Sequence, residues 1–253
     1  MNWRLIGAST TGTSHSEQGR PCEDRCYAQT MTGASGLSLA TLFVADGAGS
    51  ATNGGAGADL AIQSAVRFIE QQLTLPEFTL CEQLAVACID FIRQQIAAQA
   101  NLSGLQSRDY ACTFLGLITS KMGTLIMQIG DGGIVIDLGK GLQVPIMPMS
   151  GEYANMTHFV TDEDAQIHLA IRVLPDMVVR AAVFSDGLQR LALNMSDYSA
   201  HVPFFAPFFQ VMASAKADQE DQFNDALTSF LQSPAVNRRT DDDKTLTLAL
   251  WRE

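Results

Sequence analysis

A chain of 253 residues with a formal net charge of −11 lacks the basic face that nucleic acid or an anionic membrane surface requires. Its 47% hydrophobic and 17% charged residues are the composition of a globular protein with a sizeable core, not of a disordered one. No repeat, linker or low-complexity tract divides it, so residues 1–253 are read as one domain. The opening Met1-Asn2-Trp3-Arg4-Leu5 has no basic region followed by an apolar run, and no apolar segment approaches the roughly 20 residues that span a bilayer. A soluble, cytoplasmic protein is expected. Its five cysteines (Cys22, Cys26, Cys81, Cys88, Cys112) are an odd set without a CxxC pair, which favours free thiols. Cys22 and Cys26 with His15 lack an evident fourth zinc ligand.

Trp3–Ala8 has strand character and leads into the small polar loop Ser9–His15. Gly19–Arg25 is a turn with two acids and two bases, Glu23 and Asp24 between Arg20 and Arg25. Cys26–Gln29 and Leu39–Ala45 read as an antiparallel hairpin around Thr32–Gly36. Ala58, Ala61, Ile62, Ala65, Ile69 and Leu73 follow the helical period after Gly54-Gly55, and a second helix after Pro76 buries Leu84, Cys88, Ile92 and Ile96. Strands are expected at Ala111–Thr119, Thr124–Gln128, Ile134–Leu138 and Leu142–Ile146. Ser150–Asp164 lacks periodicity and reads as a long functional loop. Ile167–Val173 and Val178–Phe184 resume strand character, with a short helix over Gly187–Asn194. Phe204-Phe205 and Phe208-Phe209 look like a core anchor at a helix start, Gln219–Leu231 is a helix, and Thr245–Trp251 is a closing strand. Hairpins, then two adjacent helices, then strands and late helices do not match alternating βαβ units. They indicate an α+β fold of antiparallel sheets with helices packed outside.

Four places share one design. Asp46-Gly47, Gly130-Asp131, Ser185-Asp186-Gly187 and Asp242-Asp243 each put an acid where an apolar strand meets a loop. The stretch Leu42–Ser50 is the clearest: a buried strand ends in Asp46, and Gly47 lets the backbone turn so that its carbonyl faces the same way. Each alone also reads as an Asx turn or a cap. Together, and with Glu23-Asp24, they supply the several oxygen ligands that a hard cation such as Mg²⁺ or Mn²⁺ needs.

In this order the motifs resemble those of the metal-dependent type 2C protein serine/threonine phosphatases over nearly the whole chain. They are Glu23-Asp24-Arg25, Val44-Ala45-Asp46-Gly47-x-Gly49, Cys112-Thr113, Gly130-Asp131-Gly132, Phe184-Ser185-Asp186-Gly187 and Asp242-Asp243-Lys244-Thr245. Ser14-His15, Pro21-Cys22, Gly151–Asn155 and Thr240–Thr245 are closest to a compact bacterial branch. The resemblance implies a four-layer α/β/β/α sandwich, two packed antiparallel sheets flanked by helix pairs. It also implies two Mn²⁺ or Mg²⁺ ions bridged by Asp46, one completed by Asp186 and Asp242 and the other bound by the Gly47 carbonyl. Glu23 and Asp24 would hold water at the ions, and Asp131 would help hold a third, weaker one. Two such ions lower the pKa of a bridging water, which attacks phosphorus without a covalent phospho-enzyme; no nucleophilic-cysteine signature contradicts this. The implied partner is a phosphoprotein made by a serine/threonine kinase.

Two departures bear on roles. The histidine that follows the Asp-Gly pair in many relatives is Ala48 here, which leaves His15 as a candidate proton donor beside the substrate. The phosphate-binding arginine is expected at Arg20, one position out of pattern, with Arg25 beyond the acidic pair. His158, His168 and His201 have no assigned role. A non-catalytic phosphoprotein-binding module and a small phosphate-ester hydrolase are the competing readings.

Overall fold

Side chains alternate across a strand, so a strand buried on both faces must feed two separate cores. The computed structural model describes residues 3–33, 36–148, 157–214 and 220–252. It contains two five-stranded antiparallel sheets. The first runs in the order β1 (Trp3–Thr10), β12 (Lys244–Trp251), β9 (Arg180–Phe184), β6 (Gly133–Asp137) and β7 (Leu142–Gln143). The second runs β2 (Arg25–Thr32), β3 (Ser38–Ala45), β4 (Phe114–Ser120), β5 (Gly123–Ile129) and β8 (Ala170–Leu174).

Three cores follow from the alternation. Ala40, Leu42 and Val44 of β3 meet Ala181, Val183 and Ala249 between the two sheets. Leu39, Phe43 and Ala45 face the other way, onto helices α2 (Gly54–Gln72) and α3 (Glu82–Leu102). Leu246, Leu248 and Leu250 of β12 face α5 (Val202–Ser214) and α6 (Glu220–Leu231). Helix pair, sheet, sheet, helix pair is the expected four-layer order. Short elements fill the corners: α1 (Thr13–Glu17), α4 (Gln189–Ala192), the ribbon β10 (Leu193–Asn194) with β11 (Ser199–Ala200), and α7 (Pro234–Asn237).

Several boundaries differ from expectation for physical reasons. Helix α5 starts at Val202 and runs through Pro207. An interior proline costs about 3 kcal/mol, but Phe205 and Phe209 on either side are buried in one core, each contributing roughly 1.5–3 kcal/mol. Of the Leu142–Ile146 stretch only Leu142 and Gln143 pair, with Asp137 and Ile136. Strand β8 begins at Ala170 rather than Ile167, whose side chain is exposed, because the preceding turns send Val160 and Ala165 into the helix-side core. Strand β4 begins at Phe114 because the backbone of Ala111–Thr113 pairs instead with the loop after β3.

Candidate metal centre

Register brings the acidic loops to one edge. In the second sheet Arg25 lies opposite Ala45, so Asp24 and Asp46 leave β2 and β3 side by side. In the first sheet Phe184 pairs with both Leu246 and Gly133, and Lys244 pairs with Thr10. Asp186, Asp242, Asp131 and the Gly12–His15 turn therefore emerge together.

Close backbone contacts then fix each loop. Asp46 N donates to Thr113 Oγ1 at 3.0 Å, Thr113 N donates to Asp46 O at 2.8 Å, and Ala48 N donates to Ala111 O at 2.9 Å. Gly47 is required for a reason other than the one expected. Its φ is not in the left-handed region; rather, a Cβ there would fall 2.3 Å from the Gly54 carbonyl carbon, where α2 starts. Gly12 and Gly187 pinch the loop before β12 in the same way, since a Cβ on either would collide with the Asp241–Asp243 backbone at 2.0–2.5 Å.

The two adjacent acids of that loop do different work. Asp243 is buried and accepts from Gly12 N and Glu23 N, both at 2.6 Å, with His15 Nδ1 3.0 Å away. It joins the loops after β1 and before β2 and is spent doing so. Asp242 instead lines the cavity with Asp46, Gly47, Asp131 and Asp186. This cavity of about 310 Å³ also holds His15 and Ala48 on its wall. A second cavity of about 540 Å³ shares Asp131, Asp186 and Asp242 and continues past Arg190 and Arg239.

The carboxylates crowd one another. Burial pushes Asp46 well above the ordinary carboxylate range, and the charges of Asp24 and Asp186 push it further. Asp186 is raised to about 7 by burial and then by Asp131 and Asp242. Asp24, fully buried, is raised to about 6 by burial, although Ser185 Oγ donates to its Oδ2 at 2.6 Å and opposes the shift. Asp24 Oδ1 and Asp186 Oδ1 are buried with no hydrogen-bond partner. The neighbouring cations are occupied elsewhere: Lys244 Nζ donates to Asn237 Oδ1 at 3.0 Å, and Arg25 holds the carbonyls of Cys22 and Asp24. Buried acids lacking protein donors fit divalent cations held by Asp46, Asp186 and Asp242.

Not every expected site residue joins this group. Glu23 Oε2 accepts from Arg20 at 2.8 Å, and neither side chain is among those lining the two cavities. Arg20 is thus tied to a carboxylate rather than directed at the cavity. The Gly151–Asn155 motif and residues 150–156 of the expected Ser150–Asp164 loop lie outside the described residues. The sequence motifs include Asp243, Thr113 and Ser185 but assign them no role, and they do not single out Thr157, whose Oγ1 donates to Asp131 Oδ2 at 2.5 Å. No described cysteine is disulfide-bonded, and burial pushes the Cys22 thiol up to about 12, so it is no nucleophile at neutral pH.

Comparisons with known proteins agree with this geometry. The protein phosphatase 2C family profile matches residues 11–232. Serine/threonine-protein phosphatase 3 of Escherichia coli (strain K12) is 54% identical over all of both chains. Among solved structures, the catalytic domain of the serine/threonine protein phosphatase PstP in complex with two manganese ions superposes with a TM-score of 0.63 at 17% identity, covering 99% of each chain. Serine/threonine phosphatase Stp1 from Staphylococcus aureus gives 0.59 at 14% identity, covering 98% of this chain and 95% of its own. The last two likenesses establish the fold; the profile and the full-length relative establish that this chain belongs to the protein phosphatase 2C family.

Proposed function

We propose that residues 1–253 form one catalytic domain, a Mn²⁺- or Mg²⁺-dependent phosphatase that hydrolyses phosphoserine and phosphothreonine in proteins. The observation that carries this reading is the crowding of Asp46, Asp186 and Asp242 at the wall of an open cavity, with Asp24 buried behind Asp46 and with Asp24 Oδ1 and Asp186 Oδ1 lacking any hydrogen-bond partner. The two-manganese PstP domain supports the choice of metal, and the 54% identical relative, named a serine/threonine-protein phosphatase, supports the choice of substrate.

Asp46, Asp186, Asp242 and the Gly47 carbonyl, which line one cavity, would hold the two cations, with Asp46 shared between them. Asp131, on the same wall, would help hold a third, weaker one. When bound, these cations neutralise phosphoryl charge and make water nucleophilic near neutral pH. The side chains of the chain itself do the rest. Thr113 and Ser185 hold Asp46 and Asp24 in place through the hydrogen bonds described above. Asp24, buried behind Asp46, would order water at the cations, and Glu23 would share that role only on releasing Arg20. Hydrolysis forms a bond from water oxygen to phosphorus and breaks the bond to the serine oxygen, which must gain a proton. His15, its Nδ1 turned to Asp243, carries that proton in place of the histidine absent at Ala48.

The partner is a phosphoprotein produced by a serine/threonine kinase, with no role for nucleic acid. Among the described residues no helix is long and apolar enough to cross a membrane, and a cytoplasmic location belongs to the same reading. Hydrolysis of a phosphoserine peptide in Mn²⁺, compared between wild type and Asp46→Asn, tests the proposal. Equal rates in the two proteins would overturn it.

A further inference from the structure

His158, Asp164 and His168 carry chemistry that the phosphatase reading does not use. Each offers one ligand atom, and these atoms lie within 4.8 Å of one another. The two imidazole rings stack with centroids 3.4 Å apart and planes 12° from parallel. His168 Nε2 lies 3.1 Å from Asp164 Oδ2, and His158 Nδ1 lies 3.7 Å from Asp162 Oδ2. Asp162 is partly committed, because the same oxygen accepts from Phe159 N at 2.8 Å. Side-chain exposures of 19%, 55% and 22% for His158, Asp164 and His168 leave the group within reach of an ion from solvent.

The backbone presenting these ligands is held from several sides. Val160 and Ala165 are fully buried in the core beneath α2 and α3. Val160 N donates to Cys112 O at 2.9 Å. Arg93 of α3 donates to the carbonyls of Val160 and Asp162, and Gln166 Nε2 donates to Asp90 at 2.5 Å. Ligands on a fixed segment lose little freedom when an ion binds, which is what makes a site bind rather than merely contain the right residue types.

Two imidazoles and one carboxylate form a borderline-soft set that suits Zn²⁺ far better than Mg²⁺. We propose that His158, Asp164 and His168 bind one transition-metal ion of the zinc class, separate from the catalytic carboxylates, with water as the fourth ligand. The rings splay from their stack as the ion enters. His158 sits between Thr157 and Phe159, both of which line the catalytic cavity. The ion therefore pins the rim of that cavity to the turn ahead of β8 without entering it.

The test is a Zn²⁺ titration of the full chain in saturating Mg²⁺, followed by imidazole proton resonances and by equilibrium dialysis. The four histidines of the chain make the readout specific. His158 and His168 are expected to shift together at one Zn²⁺ per chain. His201, whose ring bonds the Leu191 carbonyl, should stay still. His15 reports any Zn²⁺ that reaches the catalytic centre. Asp164→Asn, an exposed change that leaves the fold alone, should weaken Zn²⁺ binding by about tenfold or more, and His158→Gln with His168→Gln should abolish it. A shift of His15 alone, or unchanged Zn²⁺ binding in these variants, would overturn the proposal. Phosphatase activity enters none of these outcomes, so they are independent of the reading of the catalytic centre.

Discussion

Strand β6 has an acid at each end, and the two differ in what surrounds them. Asp137, at one end, is 4% exposed and accepts from Gly139 N at 2.7 Å and Gly141 N at 2.9 Å, with Arg180 NH1 at 3.8 Å. The loop that follows curls its own amides around the carboxylate, using left-handed backbone at both glycines. At the opposite end, Asp131 joins Asp46 and Asp186, where carboxylates face carboxylates and buried oxygens have no donor. In sequence both are an acid where a strand meets a glycine-containing turn. What separates the two ends is therefore not burial but the supply of donors: Asp137 Oδ1 collects two backbone amides, whereas around Asp131, itself held only by Thr157 among the described residues, Asp24 Oδ1 and Asp186 Oδ1 have none.

The contrast can be broken or sharpened by experiment. Asp46→Asn should lower kcat/KM on a phosphopeptide by roughly a thousandfold, about 4 kcal/mol of barrier, while leaving or raising the stability of the metal-free protein, since it removes a repelling charge. Urea unfolding in chelator reads the second effect, and a large destabilisation would mean that Asp46 is structural after all. Asp137→Ala should do the opposite, losing about 1–3 kcal/mol of stability through stranded amides with kcat unchanged. Asp243→Ala should combine both penalties, because Gly12 and Glu23 lose their acceptor and His15 its partner. A similar loss of about 1–3 kcal/mol is expected, with a fall in kcat that Asp137→Ala does not share.

Proton binding gives a gentler test. Asp24 and Asp186 hold protons up to about 6 and about 7 in the fold, whereas an unfolded chain releases them near pH 4. The folded metal-free protein binds more protons across that window. Its stability from these groups is greatest at low pH and falls as pH rises toward 7. Cations displace those protons, so the rise in Tm on adding Mn²⁺ should grow from about pH 5.5 to about pH 8. A rise that shrinks with pH would contradict the crowding of the carboxylates. The smallest effect belongs to Arg20→Ala: with its guanidinium already on Glu23, KM for a phosphopeptide should rise by less than about tenfold with little change in kcat.

The strands and long helices could be read from the chain because apolar period and turn residues agree there. Leu39–Ala45 is an apolar run ended by Asp-Gly, and the α2 and α3 stripes repeat at helical spacing. Asp46, Asp131, Asp186 and Asp242 could be found because each marks a strand end, a local property. What could not be found depends on contacts across the fold. Nothing local distinguishes Asp242, facing the cavity, from Asp243, which binds residues more than two hundred positions away. Arg20 has the composition of a phosphate ligand, and only the third dimension pairs it with Glu23. His158 and His168 stood unassigned because the turns that stack them have no periodic signature.

The position of β12 has a consequence for how the protein is made. Residues 244–251 occupy the interior of the first sheet, between β1 and β9, although every other described strand precedes them in the chain. Until they leave the ribosome, β1 has no neighbour in its own sheet, β9 has an open edge, and Asp242 is missing from the centre. The nascent chain can complete the second sheet, all of whose strands precede β12 and two of whose four pairings, β2 with β3 and β4 with β5, are hairpins. It cannot assemble the catalytic edge. Activity is thus withheld from a chain not yet translated through β12 by strand order alone, and joining β1 to β12 across more than two hundred residues is the high-separation step of folding.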